Sequence, residues 1–177
     1  MACRIPLTNG MVALIDDEDL PLVSRFSWSY TQVLYATTGY AYAATGKDKS
    51  GPGMKMCHFL TRPPAGMTID HINGDGLDNR RANLRICTRA ENCRNRRKQQ
   101  KPTASIYKGV QRRKPAGWCA VIRACGLQRH LGNFRDEVEA AKAYDAAARK
   151  FHGAFACVNF PRPGESGALN EKKGKAA

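Results

Sequence analysis

The 177-residue sequence lacks the features that would place it in a membrane or outside the cell. It has no run of 18 apolar residues, so we expect no transmembrane helix. Its N-terminus has only a short apolar run followed by an early acidic cluster, which is unlike a signal peptide. The seven cysteines are odd in number and include no Cys-x-x-Cys pair, which argues against a disulfide framework or a cysteine zinc site. We therefore expect an intracellular protein that is not secreted.

Acidic residues are scarce in one stretch of the chain. The whole sequence has 29 Lys and Arg against 15 Asp and Glu, a net charge of +14. Residues 80–114 hold thirteen of the basic side chains against Glu91 alone, whereas residues 1–57 hold five of each sign. Such a density of positive charge repels itself unless a polyanion neutralises it, which favours nucleic acid as the partner. A solvated charged tail is the alternative, and a membrane-surface helix would need an apolar face that RNRRKQQKPTAS lacks.

Residues 1–57 have the pattern of a small β-rich module. The apolar runs at 4–8 and 11–15 flank Asn9-Gly10, a strong hairpin signal because both residues tolerate positive φ. Residues 33–44 are rich in β-forming residues and predict a strand, and residues 45–55 predict a loop. The aromatic residues expected to form a small core are Trp28, Tyr30, Tyr40 and Tyr42.

Residues 56–98 predict two strands, a loop and a helix. Residues 56–61 read as a strand, a Pro-Pro-Ala-Gly turn follows, and a second strand leads into Asp70. Residues 73–79, rich in Gly, Asn and Asp, predict a loop. Thr88 and Glu91 form a capping box, which predicts a helix from Thr88 to about Lys98.

A carboxylate, an imidazole and an amide are placed here in a pattern that suits metal-assisted hydrolysis. Asp70 and His71 end a strand, and Asn92 lies on the first turns of the capped helix. Two oxygen ligands from Asp70 and Asn92 suit Mg²⁺ or Mn²⁺, which keeps several waters and accepts phosphate oxygens. An imidazole has an ordinary pKa of about 6.5, which suits a general base at neutral pH. His71 beside the metal could therefore take a proton from an attacking water. An isolated Asp-His pair is more often structural, so the wider motif matters.

That wider motif, IDHINGDGLDNRRANLRICTRAENCRNRR, closely resembles the HNH endonucleases of phages and mobile introns. The resemblance implies a ββα-metal fold with Asp70 and Asn92 as metal ligands and His71 as general base, and with Asn83 positioning His71 and the loop. Asn in place of His at position 92 is typical of the phage homing subgroup. Asp75, Asp78 and Asn79 are expected to be loop-forming residues. Three arginines are expected either to contact phosphate or to brace the loop: Arg80, Arg81 and Arg85. The chain has Cys57-His58-Phe59 where the family often has Met-His-Arg. His58 is interpreted as a packed strand residue in preference to a ligand.

Residues 99–161 predict a linker and a second domain. Residues 99–105 lack apolar side chains and read as a basic linker, and residues 106–134 read as three strands. Residues 136–152 predict a helix that is capped by Asp136 and Glu139 and followed by Gly153. Residues 162–177 are polar and rich in Gly and Lys, which predicts a disordered tail. The side chains expected in the core of this domain are Leu131, Phe134, Tyr144, Phe151 and Phe160, while Trp118 fits either core or interface.

Residues 106–161 resemble the AP2 DNA-binding domain. The matching motifs are Tyr107-Lys108-Gly109-Val110, Leu131-Gly132-Asn133-Phe134, Tyr144-Asp145-Ala146-Ala147 and Val158-Asn159-Phe160-Pro161. The resemblance implies a three-stranded antiparallel sheet that enters the major groove and packs on one helix. Val121 and His130 depart from the family pattern, so its target sequence is not carried over. The residues expected to contact DNA, here and in the basic helix, are Arg94, Arg96, Arg97, Lys98, Lys108, Gln111, Arg112, Arg113, Arg123 and Arg129.

Together these patterns predict an α+β chain with four parts before the tail: the β-rich module at 1–57, the HNH nuclease domain at 58–98, the linker at 99–105 and the AP2-like domain at 106–161. The leading hypothesis is a metal-dependent homing endonuclease that acts as a monomer and nicks double-stranded DNA. The alternative is a non-catalytic AP2-type regulator with an inactive HNH domain. A third hypothesis, an RNA-associated basic protein, is weakened because no strand pair shows two spaced exposed aromatics.

Overall fold

The structure, a computed structural model, describes residues 1–8, 10–32, 39–43, 53–98 and 104–169. The chain divides into two compact units, Met1–Asn92 and Cys93–Ala177. Both units mix short strands with a few helices, in agreement with an α+β class. Residues 1–57 lie in the same compact unit as residues 58–92, so the boundary expected after residue 57 does not separate two compact bodies.

The first unit begins with the predicted hairpin. Strands β1 (Ala2–Pro6) and β2 (Val12–Asp16) pair antiparallel, with Pro6 opposite Val12. Gly10 has φ +72°, the left-handed conformation that a tight turn requires. Asn9 lies outside the described residues. This pairing confirms the predicted hairpin. The apolar alternation of β2 buries Ala13 and Ile15 in the core.

A second sheet follows a 3₁₀ turn at Asp17–Asp19 and the one-turn helix α1 at Leu20–Val23. Its strands are β3 (Trp28–Gln32), β4 (Gly39–Ala43) and β5 (Met54–Lys55), with β4 in the middle. The strand expected over 33–44 is present at 39–43, and residues 33–38 and 44–52 lie outside the described part. Within the predicted loop, Met54 and Lys55 form a strand instead.

The expected four-ring aromatic core is wrong in part. Trp28 is buried and packs against Phe26 and Phe59, with ring centroids 6.0 and 6.1 Å apart. Tyr40 and Tyr42 are only half-buried, because they alternate along β4 with the buried Ala41 and Ala43 and therefore face the other side of the sheet.

Residues 56–61 form a helix and not the predicted strand. Helix α2 spans Met56–Thr61 and ends at Arg62, whose φ is +46°. Its buried residues, Met56, Cys57 and Leu60, have helical spacing, which places them together on the core side. Thr61 Oγ1 donates to the Cys57 carbonyl at 2.6 Å, a bond available only in helical geometry.

A strand pair follows, and then a short helix whose last two residues belong to the second unit. Strands β6 (Thr68–His71) and β7 (Leu84–Cys87) pair antiparallel on either side of the loop, and a 3₁₀ turn at Arg81–Asn83 precedes β7. Helix α3 spans Arg89–Arg94 and begins with the predicted capping box, in which Glu91 N donates to Thr88 Oγ1 and Thr88 N to Glu91 Oε2. The helix stops at Arg94 and does not reach Lys98, so its predicted length is wrong.

The second unit contains the predicted three strands and helix. Strands β8 (Val110–Arg112), β9 (Trp118–Ala124) and β10 (Leu127–Phe134) form an antiparallel sheet with β9 in the middle. Helix α4 (Glu137–His152) lies against this sheet and is capped by Asp136, whose Oδ2 accepts from Glu139 N at 2.9 Å. The alanine-rich face of α4 allows close approach, and the core comprises Ile122, Ala140, Ala141, Tyr144, Ala148 and Val158.

The tail prediction is wrong for residues 162–169. After a 3₁₀ turn at Gly153–Phe155, strand β11 (Cys157–Val158) pairs in parallel with β12 (Ser166–Gly167). Arg149 beside Glu165 lowers the pKa of that carboxyl to about 2. Phe160, expected in the core, is exposed, and its ring packs against the ring of Tyr107. Residues 170–177 lie outside the described part.

Across the described residues, no helix is long and apolar enough to cross a bilayer.

Candidate functional site

The centre of the site is the end of strand β6, where Asp70 and His71 follow each other. The register of the strand pair sets Asp70 opposite Arg85 and His71 opposite Leu84. Both site residues are buried. Burial of an acid and an imidazole side by side is costly unless each has partners, so the neighbours of the two residues define the site.

Arg85 is the partner of Asp70. Its Nε and Nη2 both donate to Asp70 Oδ2, at 2.8 and 2.5 Å. Arg85 is itself largely shielded from water, with 17% of its side chain exposed. Of the two expectations for this arginine, the structure gives the bracing contact: it neutralises and orients the carboxylate of the strand opposite. Nothing in one sequence marks this pairing, because it depends on the strand register.

Asn92 reaches the same place from helix α3. Its Nδ2 donates to the Ile69 carbonyl at 3.3 Å, one residue before Asp70. The capping box fixes where the helix begins and hence where Asn92 projects. The structure thus places Asn92 beside the end of β6, where Asp70 and His71 lie.

His71 is held between a loop and an aromatic ring. Its Nε2 lies 3.4 Å from Asn79 Oδ1, and its ring lies 5.7 Å from the ring of Tyr40. Burial lowers the pKa of His71, although the contact with Asn79 and the charge of Asp70 oppose the shift. The imidazole is therefore neutral at pH 7 and able to accept a proton.

Asn83 braces the loop and not the histidine ring. Its Oδ1 accepts from Asn73 N at 3.0 Å, and its Nδ2 donates to the Asp78 carbonyl at 2.7 Å. Its own carbonyl accepts from Ile72 N at 2.9 Å. Asn79, which the sequence marks only as a loop-forming residue, has the side chain that lies within hydrogen-bonding distance of His71 Nε2.

The two loop aspartates behave as loop-forming residues. Asp75 Oδ1 accepts from Leu77 N at 3.1 Å, and Asp78 accepts from Asn73 Nδ2 at 2.9 Å. Arg80 donates to both oxygens of Asp78 and lowers the pKa of that carboxyl. Among the described residues, no group of three His, Cys, Asp or Glu side chains is arranged to hold a metal.

His58 lies in helix α2 and not on a strand. Partial burial lowers the pKa of its imidazole, with Lys55 acting in the same direction. Its backbone carbonyl accepts from Arg62 N at the end of the helix.

In the second unit, strand alternation divides the predicted DNA-contacting residues between two faces. Val110, Ala120 and Ile122 are buried towards helix α4, so Gln111 and Arg123, at the alternate positions, lie on the other, open face. Arg113 continues that alternation beyond β8, and its N donates to Gly117 O at 3.0 Å.

Arg112 and Arg129 have the opposite orientation. Arg112 lies over the Trp118 ring at 5.1 Å, and Arg129 lies over the ring of Phe151 in α4 at 5.3 Å. These cation–π contacts occupy the faces of the two guanidinium groups. The open face of the sheet therefore carries Gln111, Arg113 and Arg123, whereas Arg112 and Arg129 lie on the helix side.

The basic segment Arg94–Lys98 is attached to the second unit through its backbone. Lys108 Nζ donates to the carbonyls of Arg94 and Arg96, at 2.9 and 2.6 Å, and Lys98 N donates to Ala168 O at 3.2 Å. Burial lowers the pKa of Lys108. The Lys108 ammonium thus donates to two backbone carbonyls and holds the segment in place.

Comparison with known proteins agrees with this geometry. Residues 62–94 match the HNH endonuclease family. Over 152 residues the chain is 26% identical to a protein named uncharacterized HNH endonuclease L560, of Acanthamoeba polyphaga mimivirus, covering 85% of this chain and 76% of that protein.

Plant proteins match a shorter part of the chain. Dehydration-responsive element-binding protein 1G of Oryza sativa subsp. indica is 46% identical over 57 residues, which are 31% of this chain and 25% of that protein. The AP2-like ethylene-responsive transcription factor AIL7 of Arabidopsis thaliana is 52% identical over 60 residues, 32% of this chain and 12% of that protein. The matched segment is thus a quarter or less of these plant relatives.

The chain has an HNH plus AP2-like architecture. The HNH domain makes it a nuclease enzyme, and residues 62–92 of the matched segment lie in the first compact unit. The AP2-like domain, which the sequence motifs assign to residues 106–161, lies in the second. Both resemblances imply DNA binding.

Proposed function

We propose that this nuclease is a metal-dependent DNA endonuclease that nicks one strand of double-stranded DNA at a site selected by its AP2-like domain. The observation that supports the proposal is the contact of the Asn92 amide with the Ile69 carbonyl, because it places Asn92 beside Asp70 and His71 at the end of β6. Those three groups supply two oxygen ligands and one base, which are the parts that one-metal phosphodiester hydrolysis needs.

The donor set at β6 suits a hard divalent cation. Asp70 and Asn92 would hold Mg²⁺ or Mn²⁺ through oxygen atoms, and Mg²⁺ needs only one or two carboxylates with waters and substrate phosphate completing the shell. Such a site does not require a cluster of three acids. When bound, the ion would offset charge on the phosphate and on the leaving oxygen. Arg85 holds the Asp70 carboxylate in one orientation.

His71 supplies the proton transfer. Its ring is neutral at pH 7 because burial lowers its pKa, so it can take a proton from the attacking water. Asn83 contributes indirectly by bracing the loop that follows His71.

The second unit supplies affinity for double-stranded DNA. The open sheet face with Gln111, Arg113 and Arg123 is suited to the major groove, where Arg reads guanine and contacts phosphate. The anchored basic segment adds Arg94, Arg96, Arg97 and Lys98 along the backbone. Arg112 and Arg129 lie on the helix side of the sheet. We propose that they contact only those backbone phosphates of the DNA that lie beside the helix side.

One chain carries one HNH site, so we propose a monomer that nicks. A homing role in a phage or mobile element rests on the resemblance of the motif alone. The alternative, an AP2-type regulator with an inactive HNH domain, is an outcome of the same test.

The test is conversion of supercoiled plasmid with and without Mg²⁺ or Mn²⁺, using DNA from around the gene's own locus. We expect metal-dependent open circles, with rates about 10²–10⁴-fold lower for His71→Ala and Asn92→Ala. Lys142→Ala, on the exposed side of α4, is the matched control and should cut normally. Tight salt-sensitive binding without any cleavage would support the regulator instead.

A further inference from the structure

We infer that Asn79 is a positioning residue that fixes the orientation and tautomer of His71, and that the N-terminal strand β2 holds Asn79 in place. The inference rests on the proposed function, in which His71 is the base. It assigns a task in the nuclease to the N-terminal hairpin, for which the sequence gives none.

The orientation of the Asn79 amide follows from its second contact. Nδ2 donates to the Leu77 carbonyl at 3.2 Å, and a carbonyl can only accept. The other end of the amide, Oδ1, therefore faces His71 Nε2 at 3.4 Å. Asn79 is 1% exposed, so water does not compete for either end of the amide.

An amide oxygen can only accept a hydrogen bond, so it requires the proton of the neutral imidazole to be on Nε2. Nδ1 then carries the lone pair and is the nitrogen that can take a proton from water. If Nδ1 were protonated instead, Nε2 and Asn79 Oδ1 would be two acceptors facing each other in a buried place. The geometry thus selects one of the two tautomers.

Strand β2 fixes the backbone on both sides of this amide. Leu14 N donates to the Leu77 carbonyl at 2.8 Å, and Asn79 N donates to the Leu14 carbonyl at 2.8 Å. The Leu77 oxygen therefore accepts from Leu14 and from Asn79 Nδ2 together. A shift of β2 would move the oxygen that orients the Asn79 side chain.

A second set of contacts ties the same two segments together. Arg81 N donates to Asp16 Oδ2 at 2.7 Å, and the Arg81 guanidinium pairs with the buried Asp19. Asp16 is the last residue of β2, so the strand is fixed to the loop at two points. The N-terminal hairpin is thus part of the support for His71.

The experiment compares Asn79→Leu with Asn79→Asp. Leucine has a similar size but no acceptor, whereas aspartate keeps an oxygen that can face Nε2. We expect Asn79→Leu to lower kcat about 10–100-fold with KM within about twofold, as for other residues that orient an active-site group. Asn79→Asp keeps the acceptor but loses the donor to the Leu77 carbonyl, so kcat should fall by less than in Asn79→Leu. Val23→Ala, which loosens the core of the first unit at helix α1 and not in the hairpin or the loop, is the control and should keep kcat.

The tautomer is read directly by long-range ¹H–¹⁵N NMR of histidine-labelled protein without metal, at a pH well above the ordinary imidazole pKa. His71→Ala assigns the signal. The wild type and Asn79→Asp should show a proton on Nε2 and none on Nδ1, and Asn79→Leu should show a mixture. A wild-type His71 protonated on Nδ1, or equal kcat in all three proteins, would overturn the inference. This NMR readout does not need cleavage, so it stays decisive if the proposed nuclease activity fails or Asn79→Leu does not fold.

Discussion

The two compact units differ in where they put their charged side chains. The first has ten basic and nine acidic residues, and it buries Asp19, Asp70 and Asp78 against arginines. The second has nineteen basic and six acidic residues, and its arginines at 113 and 123 are exposed on an open sheet face. Holding a carboxylate and a base in fixed positions requires buried partners, whereas attracting a polyanion requires exposed charge. The proposed cutting site therefore needs charged residues that are buried and paired, whereas the proposed DNA-binding face needs charged residues that are exposed.

The largest expected effect tests whether the two units fold independently. Gly109 and Gly126 have nearly the same φ, +75° and +77°, but an added Cβ at 109 would overlap the Tyr144 ring while one at 126 meets nothing within 4 Å. We expect Gly126→Ala to cost about 1–2 kcal/mol for the left-handed backbone. Gly109→Ala should cost a further ~1–3 kcal/mol for the overlap.

Tryptophan fluorescence separates the units in this experiment, since Trp28 lies in the first and Trp118 in the second. Single-tryptophan variants followed in urea should show that Gly109→Ala lowers only the Trp118 midpoint. An equal fall at Trp28 would mean that the units unfold together.

The next effect concerns the attachment of the N-terminal hairpin to the nuclease loop. Arg81 pairs with both Asp19 and Glu18, but Asp19 is 1% exposed and Glu18 is 73% exposed. Asp19→Ala should destabilise the first unit by about 1–3 kcal/mol, because a buried hydrogen-bonded charge is removed. Glu18→Ala should change stability by less than about 1 kcal/mol. Urea unfolding followed at Trp28 measures both, and equal effects would contradict the assigned burial.

A smaller effect sharpens the division between the two faces of the second sheet. Arg113→Ala and Arg123→Ala should each reduce the slope of log binding constant against log salt concentration by about 0.9 for each phosphate that the arginine neutralises. Arg129→Ala removes the same charge from the helix side, where it lies over Phe151, and should change the slope less. Fluorescence anisotropy with labelled duplex DNA checks this. If Arg129→Ala changed the slope more than Arg113→Ala or Arg123→Ala, the helix side of the sheet, and not the open face, would be the side that binds DNA.

The smallest effect is on pH dependence. Burial lowers the pKa of His71, so the neutral base is present above an apparent pKa that lies below the ordinary value of about 6.5. The cleavage rate should therefore rise as pH increases through the acid range and be level near neutral pH. Rates measured at saturating DNA, with binding checked at each pH, test this. A rate still rising steeply with pH well above neutrality would contradict it.

Patterns of neighbouring residues predict most of the helices and strands of the second unit and fewer of those of the first. The capping boxes at Thr88 and Asp136 mark two helix starts, because a hydroxyl or carboxylate cap needs only neighbours three residues away. The length of α3 is not predictable in this way, because the Lys108 contacts to the carbonyls of Arg94 and Arg96 come from a distant part of the chain.

The same limit applies to the candidate site. Asp70, His71 and Asn92 can be identified because their motif is contiguous, but the contacts of Arg85 and Asn79 depend on strand register and on the loop fold.

Two further differences between sequence and structure have local causes. Residues 56–61 favour a strand in the sequence and form a helix, because a six-residue apolar run fits either period. The ordered segment 162–169 is not evident in the sequence, because its pairing with β11 leaves no local pattern there.

The most direct test of the central claim is one gel experiment that measures binding and cutting on the same DNA fragment with Mg²⁺. It compares the wild type, His71→Ala and the double variant Arg113→Ala/Arg123→Ala. We predict that His71→Ala binds as tightly as the wild type and does not cut, and that the double variant binds weakly but still nicks at high protein concentration. Loss of binding in His71→Ala, or undiminished binding in the double variant, would contradict the assignment of cutting to one unit and binding to the other.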